Sequence, residues 1–217
     1  MIMKKATQKD ISIIKEAFIK NYSNSVTELN YKNDYELLIA IILSAQCTDK
    51  RVNIITPEVF EKYKNVYELA IASLEDVKFL LKSCSFFNNK SKNIIKMAQS
   101  VVENFNGKIP HDEKQLIKLA GVGNKTANVF MIEYKGANLM AVDTHVFRVS
   151  HRLGLSYATN VNETEKELVK KLKGDELHIY HQAMVLFGRY ICKAIKPNCD
   201  DCIFPQVCKT KKSFKPK

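Results

Sequence analysis

The sequence predicts an all-α fold, on three observations. Apolar residues recur at spacings of three and four along most of the chain. Alternation of apolar and polar residues never runs beyond a few positions, so no strand of ordinary length is written into it. Short polar or Gly/Pro-bearing turns separate the periodic runs, with no long linker and no low-complexity segment. The 217 residues, 46% apolar and 26% charged, suit a soluble globular protein of one large domain or two small ones.

The expected elements follow in order. Thr7-x-x-Asp10 is a variant capping box, and Ile11, Ile14, Phe18 and Ile19 carry a helix to Tyr22. After a polar stretch, Asp34 can cap a helix that is apolar on nearly every side, from Tyr35 through Leu43. A helix of that kind belongs in the middle of a domain. Ser44 to Asp49 closes it with a polar string. Val52, Ile55, Val59, Phe60 and Tyr63 mark a further helix, broken or restarted at Pro57. Ser73 caps a short helix ending near Lys82. The loop Ser83 to Asn89 leads to a helix from about Lys90, with Ile94, Ile95, Ala98, Val101, Val102 and Phe105 on one face and Gly107 at C′. Pro110 and Asp112 restart the chain as a short helix carrying Leu116, Ile117 and Leu119. A helix over about Thr126 to Tyr134 is followed by an apolar-periodic one behind Asp143. Asn162 caps a helix over Glu163 to Leu172, ended by Gly174. The last helix runs from about His178 to Cys192, and the tail from Lys209 is basic and expected to be disordered. About ten helices result.

The net charge of +11 points to a polyanionic partner, nucleic acid first, although an abundance of Lys, Asn and Ile also fits a biased composition. The longest apolar run, Leu37 to Leu43, is too short for a membrane helix, and the N-terminus turns polar without a secretory core. A cytoplasmic protein is expected.

Chemistry concentrates between Leu119 and Arg148. Gly121-Val122-Gly123 can turn one helix into the next and direct amide N–H groups outward at the positive end of the second. That end suits a phosphate and carries no sequence information. An ordinary helix–helix turn is the bland alternative. Lys125 follows at once. An amine nucleophile must be unprotonated, which burial or a positive field favours; otherwise Lys125 is a solvated phosphate contact. Asp143, eighteen residues on, reads as an N-cap and can also serve as a catalytic carboxylate. His145 reads as structural.

Cys192, Cys199, Cys202 and Cys208 fall within seventeen residues as C-x6-C-x2-C-x5-C. In a reducing cytosol such density reads as metal ligation, by zinc or by an iron–sulfur cluster. Lys193 and Lys196 lie in the first loop of that set and can meet phosphates. Cys47 and Cys84 have no partner at metal spacing and read as structural.

Taken together, Leu43-Ser44-Ala45-Gln46, Phe87-Asn88-Asn89-Lys90, Gly121 to Val129, Val142-Asp143-Thr144-His145 and the four cysteines resemble the endonuclease III family of DNA glycosylase/AP lyases, over nearly the whole chain. The resemblance implies a two-domain helix-hairpin-helix glycosylase fold with a C-terminal [4Fe–4S] cluster loop. It implies a central six-helix domain over 27–137 and a second domain of 1–26 with 138–217. Lys125 would be the nucleophile and Asp143 the assisting carboxylate. DNA contacts would come from Gln46, Phe86, Asn88, Lys90, Gly121, Val122, Gly123, Lys193 and Lys196, and the cluster from Cys192, Cys199, Cys202 and Cys208. Gln46 would fill the gap left by an extruded base, and Phe86, where leucine is common, would wedge into the opposite strand, unless it packs in the core. Ala120, Cys47 and Ser85 depart from the family pattern, at no catalytic position. Duplex DNA bearing oxidised pyrimidines or abasic sites is the implied partner, for a monomer. An adenine-mismatch glycosylase, which normally lacks a lysine at this position and carries a further C-terminal domain, is the nearest rival. A non-enzymatic hairpin DNA-binding module and a zinc-binding structural protein come from other classes.

Overall fold

The computed structural model describes residues 5–210. Among them are eleven α-helices and no strand. The chain separates into two compact units, Thr27–Lys135 and a discontinuous one of Met1–Val26 with Gly136–Lys217.

The continuous unit holds α2 (Asp34–Ser44) to α8 (Asn124–Lys135). Every residue of α2 from Tyr35 to Leu43 is buried, as its all-round apolar sequence requires. The helices α3 (Asp49–Lys62), α6 (Phe87–Phe105) and α8 pack around it. The single acid in that run, Glu36, is buried, and its carboxylate accepts the Lys32 N–H at 2.8 Å. Against α6 lie α4 (Val66–Ala70) and α5 (Leu74–Leu81), while α7 (Glu113–Leu116) packs on α8.

The other unit is built from α1 (Gln8–Tyr22), α9 (Thr144–Arg152), α10 (Val161–Lys171) and α11 (Leu177–Tyr190), with α11 against both α1 and α9. Its core joins distant segments. Phe18 of α1, Phe187 of α11 and Phe204 beyond it meet edge to face, Phe18 and Phe204 with centroids 4.8 Å apart.

Several boundaries differ from expectation, each for a local reason. Asn33, not Asp34, caps α2, its side chain accepting from Glu36 N. Pro57 does not break α3; it lies on the exposed face, where water can serve the carbonyl it leaves without a donor. The helix α4 was not expected; it is a five-residue turn started by Asn65, which accepts from Tyr67 N and Glu68 N. Ser73 stands at the N-cap of α5 without making a side-chain cap bond. The start of α6 is at Phe87, not Lys90, behind a left-handed Phe86. Leu116 ends α7, so Ile117 and Leu119 belong to the turn. Asn160, not Asn162, caps α10. The end of the basic tail, from residue 211, lies outside the described residues.

Candidate functional site

The hairpin is anchored by apolar side chains and open at its glycines. Leu119 and Val122 are buried, and Val122 N–H donates to Leu119 O at 3.1 Å. Gly121 has φ +80, and a Cβ there would sit 3.0 Å from the Asn93 side chain. The positive φ favours glycine, and any Cβ would also require the Asn93 side chain to give by a few tenths of an ångström. Gly123 is different: its φ is not positive, and a Cβ would meet nothing within 4 Å. The fold does not require that glycine, and the space beside it is open. Gly123, Asn124 and Lys125 are exposed at the start of α8, where the first amides have no acceptor within the helix. Lys125 is the second residue of α8.

Asp143 caps α9, its Oδ1 accepting from Val146 N at 2.7 Å. Lys125 belongs to the continuous unit and Asp143 to the discontinuous one.

Besides Asn106, the left-handed C-cap of α6, two exposed side chains in the continuous unit stand on left-handed backbone. Gln46 has φ 55 and Phe86 has φ 58. A non-glycine residue in this region is strained and persists only where its surroundings hold it. Phe86 is 61% exposed, which removes core packing as its role. Asn88 is exposed on the first turn of α6. Lys90 is not where a phosphate contact would be. It is 6% exposed, and its Nζ points inward, donating to Leu43 O at 2.7 Å and Ala45 O at 2.6 Å. The helical period turns it to the buried face with Ile94.

The cysteine loop leaves the end of α11. All four thiols are partly buried and close enough to influence one another, and burial first, then the neighbouring thiols, push those of Cys199 and Cys202 up. Among the described residues no group of three or more His, Cys, Asp or Glu side chains is arranged as a metal site. The surroundings nevertheless suit thiolates. Phe204 N–H donates to Cys202 Sγ at 3.4 Å, and Arg152 Nη1 to Cys192 Sγ at 3.3 Å. Lys193 and Lys196 are exposed on the first loop, Lys196 with φ 48.

The sequence reasoning missed Arg148 and Arg152. Arg148 Nε donates to Cys192 O at 2.9 Å and its Nη2 to Gly188 O at 2.7 Å. Arg152 Nη1 donates to Lys193 O at 2.7 Å and its Nη2 to Ala194 O at 3.1 Å. Together they tie the start of the cysteine loop to α9. Burial, then the neighbouring Arg152, lowers the pKa of Arg148. The available signal was two guanidinium groups four apart on one helix, a repulsive pair that needs a common set of acceptors.

Residues 39–174 match the model of the HhH-GPD superfamily base excision DNA repair proteins. The endonuclease III of Rickettsia felis is 44% identical over 198 residues, covering 91% of this chain and 93% of that protein. The endonuclease III of Bacillus subtilis is 40% identical over 189 residues, covering 87% and 86%. A solved endonuclease III in a trapped covalent intermediate with DNA superposes with a TM-score of 0.90 at 40% identity, covering 96% of this chain and 99% of that one. A thermostable thymine-DNA glycosylase shares the fold, with a TM-score of 0.83 at 21% identity.

Proposed function

The chain belongs to the HhH-GPD superfamily of base excision DNA repair proteins, and from that premise we propose a bifunctional DNA glycosylase and AP lyase acting through Lys125. The observation that carries this reading is the open start of α8. The exposed Lys125 stands two residues after Gly123, which leaves room for a backbone, beside amides free to take a phosphate.

In the proposed reaction an oxidised pyrimidine nucleotide is turned out of the duplex. Lys125 Nζ, as the free amine, attacks C1′. The C1′–N bond breaks, and the base leaves with a proton. The sugar ring opens to an iminium on Nζ. Loss of a C2′ proton then expels the 3′ phosphate by β-elimination, and water releases the amine. An abasic site enters at the attack on C1′. Asp143 is assigned proton transfer or stabilisation of positive charge on the sugar. Its Oδ1 bond to the Val146 amide fixes the carboxylate for either role.

Gln46 and Phe86 are assigned insertion into the duplex, and Asn88, Gly121, Val122, Gly123, Lys193 and Lys196 contacts to its backbone. Cys192, Cys199, Cys202 and Cys208 would hold a [4Fe–4S] cluster; four soft donors with N–H groups at two of the sulfurs fit it. When bound, the cluster would cross-link the loop that carries Lys193 and Lys196. We assign the chain a monomeric state and a cytoplasmic place; among the described residues no helix is long and apolar enough to cross a membrane.

Borohydride reduction of the iminium tests the assignment. The protein is expected to be trapped covalently on abasic-site DNA, and Lys125→Gln to abolish the adduct. An undiminished adduct in that variant would overturn the nucleophile. The cluster is tested by colour and acid-labile sulfide in the purified protein; a colourless protein holding only zinc would overturn it.

A further inference from the structure

A buried ammonium is costly unless its protons are all received, because burial removes several kcal/mol of hydration. Lys90 meets that cost with an unusual set of partners. Leu43 O and Ala45 O are carbonyls at the end of α2, where a helix leaves its last acceptors unsatisfied and carries partial negative charge. The third partner is Cys84 Sγ, at 3.4 Å. Cys84 in turn offers its thiol proton to Leu43 O at 3.6 Å. One side chain of α6 therefore ties the end of α2 to the turn before its own helix.

Each tied segment runs straight into a strained residue. Ala45 precedes Gln46, at φ 55, and Cys84 lies two residues before Phe86, at φ 58. Phe86 O accepts the Lys90 N–H at 3.1 Å, so the main chain of Lys90 holds Phe86 while its side chain holds the Gln46 segment. Two exposed side chains thus stand in backbone conformations they would not choose, on segments fastened to one buried cation.

We propose that Lys90 is a positioning residue that fixes Gln46 and Phe86 at a set separation, so that both can enter one DNA duplex without reordering their loops. This rests on the insertion roles assigned above. It also accounts for a lysine in place of an apolar residue at a buried position of α6: only a long cation reaches two carbonyls and a sulfur together. Preorganisation of this kind matters for duplex substrates, in which a base must be replaced and a partner strand parted. It matters much less for an abasic site in a single strand, which has neither.

The experiment compares two substrates. Lys90→Met keeps the length and apolar stem and removes the ammonium. Relative to the parent protein, its single-turnover excision from duplex DNA is expected to fall about tenfold more than its borohydride trapping on single-stranded abasic DNA. Equal losses on the two substrates would mean a merely structural lysine and overturn the proposal. A double-mutant cycle adds a second readout. In a Gln46→Ala, Phe86→Ala background, Lys90→Met should cost little further duplex excision; full additivity would also overturn it. Should Lys90→Met fail to fold, Cys84→Ala removes one of the three partners and should show the same duplex-selective loss in smaller measure; a folded Cys84→Ala protein with equal losses on both substrates counts against the proposal. If the parent protein itself gives no adduct, the lyase reading fails and not the positioning role.

Discussion

The two units solve the problem of a core in opposite ways. In Thr27–Lys135 the middle is a single helix, α2, buried at nine successive positions from Tyr35 to Leu43. In the discontinuous unit the middle is a seam, where Phe18, Phe187 and Phe204 converge from parts of the chain far apart in sequence. A helix-centred unit concentrates its stability in one segment. A seam spreads it over contacts between α1, α11 and the cysteine loop. The candidate groups divide the same way: Lys125 and the Gln46 and Phe86 loops stand on the helix-centred unit, Asp143 and the cysteines on the discontinuous one.

The largest effect should come from the middle of the helix-centred unit. Leu38 is fully buried, and Leu38→Ala is expected to cost about 2–5 kcal/mol, read as a lowered urea midpoint at unchanged slope. Val161 begins α10 at 48% exposure, and Val161→Ala should stay within about 0.5 kcal/mol. Comparable losses from the two would mean that α2 is not the centre its burial makes it.

Next in size is a pH effect at one edge of the same unit. Glu133, near the end of α8, accepts the Thr27 N–H at 3.1 Å, and burial, opposed by that bond, pushes its carboxyl up to about 7 from the usual 4.5. The folded state therefore keeps a proton between those values that the unfolded chain releases. The stabilisation is complete below the unfolded value and is lost as pH rises through the folded one; the difference is on the order of 3 kcal/mol. Glu133→Gln keeps an acceptor for Thr27 and removes the titration. Its stability should be flatter across that window than the parent's; an identical pH slope in both proteins would exclude Glu133 as its source.

How much of this was legible follows from the same contrast. The central place of α2 could be read because an all-round apolar helix has only one place to go. The glycine hairpin, Lys125 and the spaced cysteines were visible because each is a local pattern. The inward turn of Lys90 was not. A lysine in a polar first turn looks solvated, and only the meeting of α6 with the end of α2 supplies its acceptors. Nor were the partners of Arg148 and Arg152, forty or so residues away. The strain at Gln46 and Phe86 was equally hidden, since neither residue type favours positive φ. Pairing across sequence, not local propensity, is what the sequence withheld.

A third prediction concerns how the seam is fastened. Arg152 donates to Lys193 O, Ala194 O and Cys192 Sγ, all on the cysteine loop. Arg152→Met should leave the aromatic seam packed but free three acceptors, at a cost of about 1.5–3 kcal/mol. The loss should be local. Hydrogen exchange should quicken over Cys192 to Cys208 while amides of α2 keep their protection. Uniform loss of protection in both units would mean that the loop is not a separate fastening.

The smallest prediction separates two caps, one on each unit. Asn160 holds the start of α10 with its Oδ1 accepting from Glu163 N at 3.0 Å, so Asn160→Ala should cost about 1 kcal/mol. Ser73 occupies the same position on α5 and makes no such bond. Without a bond to lose, Ser73→Ala should cost no more than a few tenths of a kcal/mol, although serine is by statistics as good a cap as asparagine. Thermal midpoints of the two variants check this directly. If both shift equally, the cap position itself carries the energy; if only Asn160→Ala shifts, the bond does, and the difference lies in where each hydroxyl or amide points once its helix is packed.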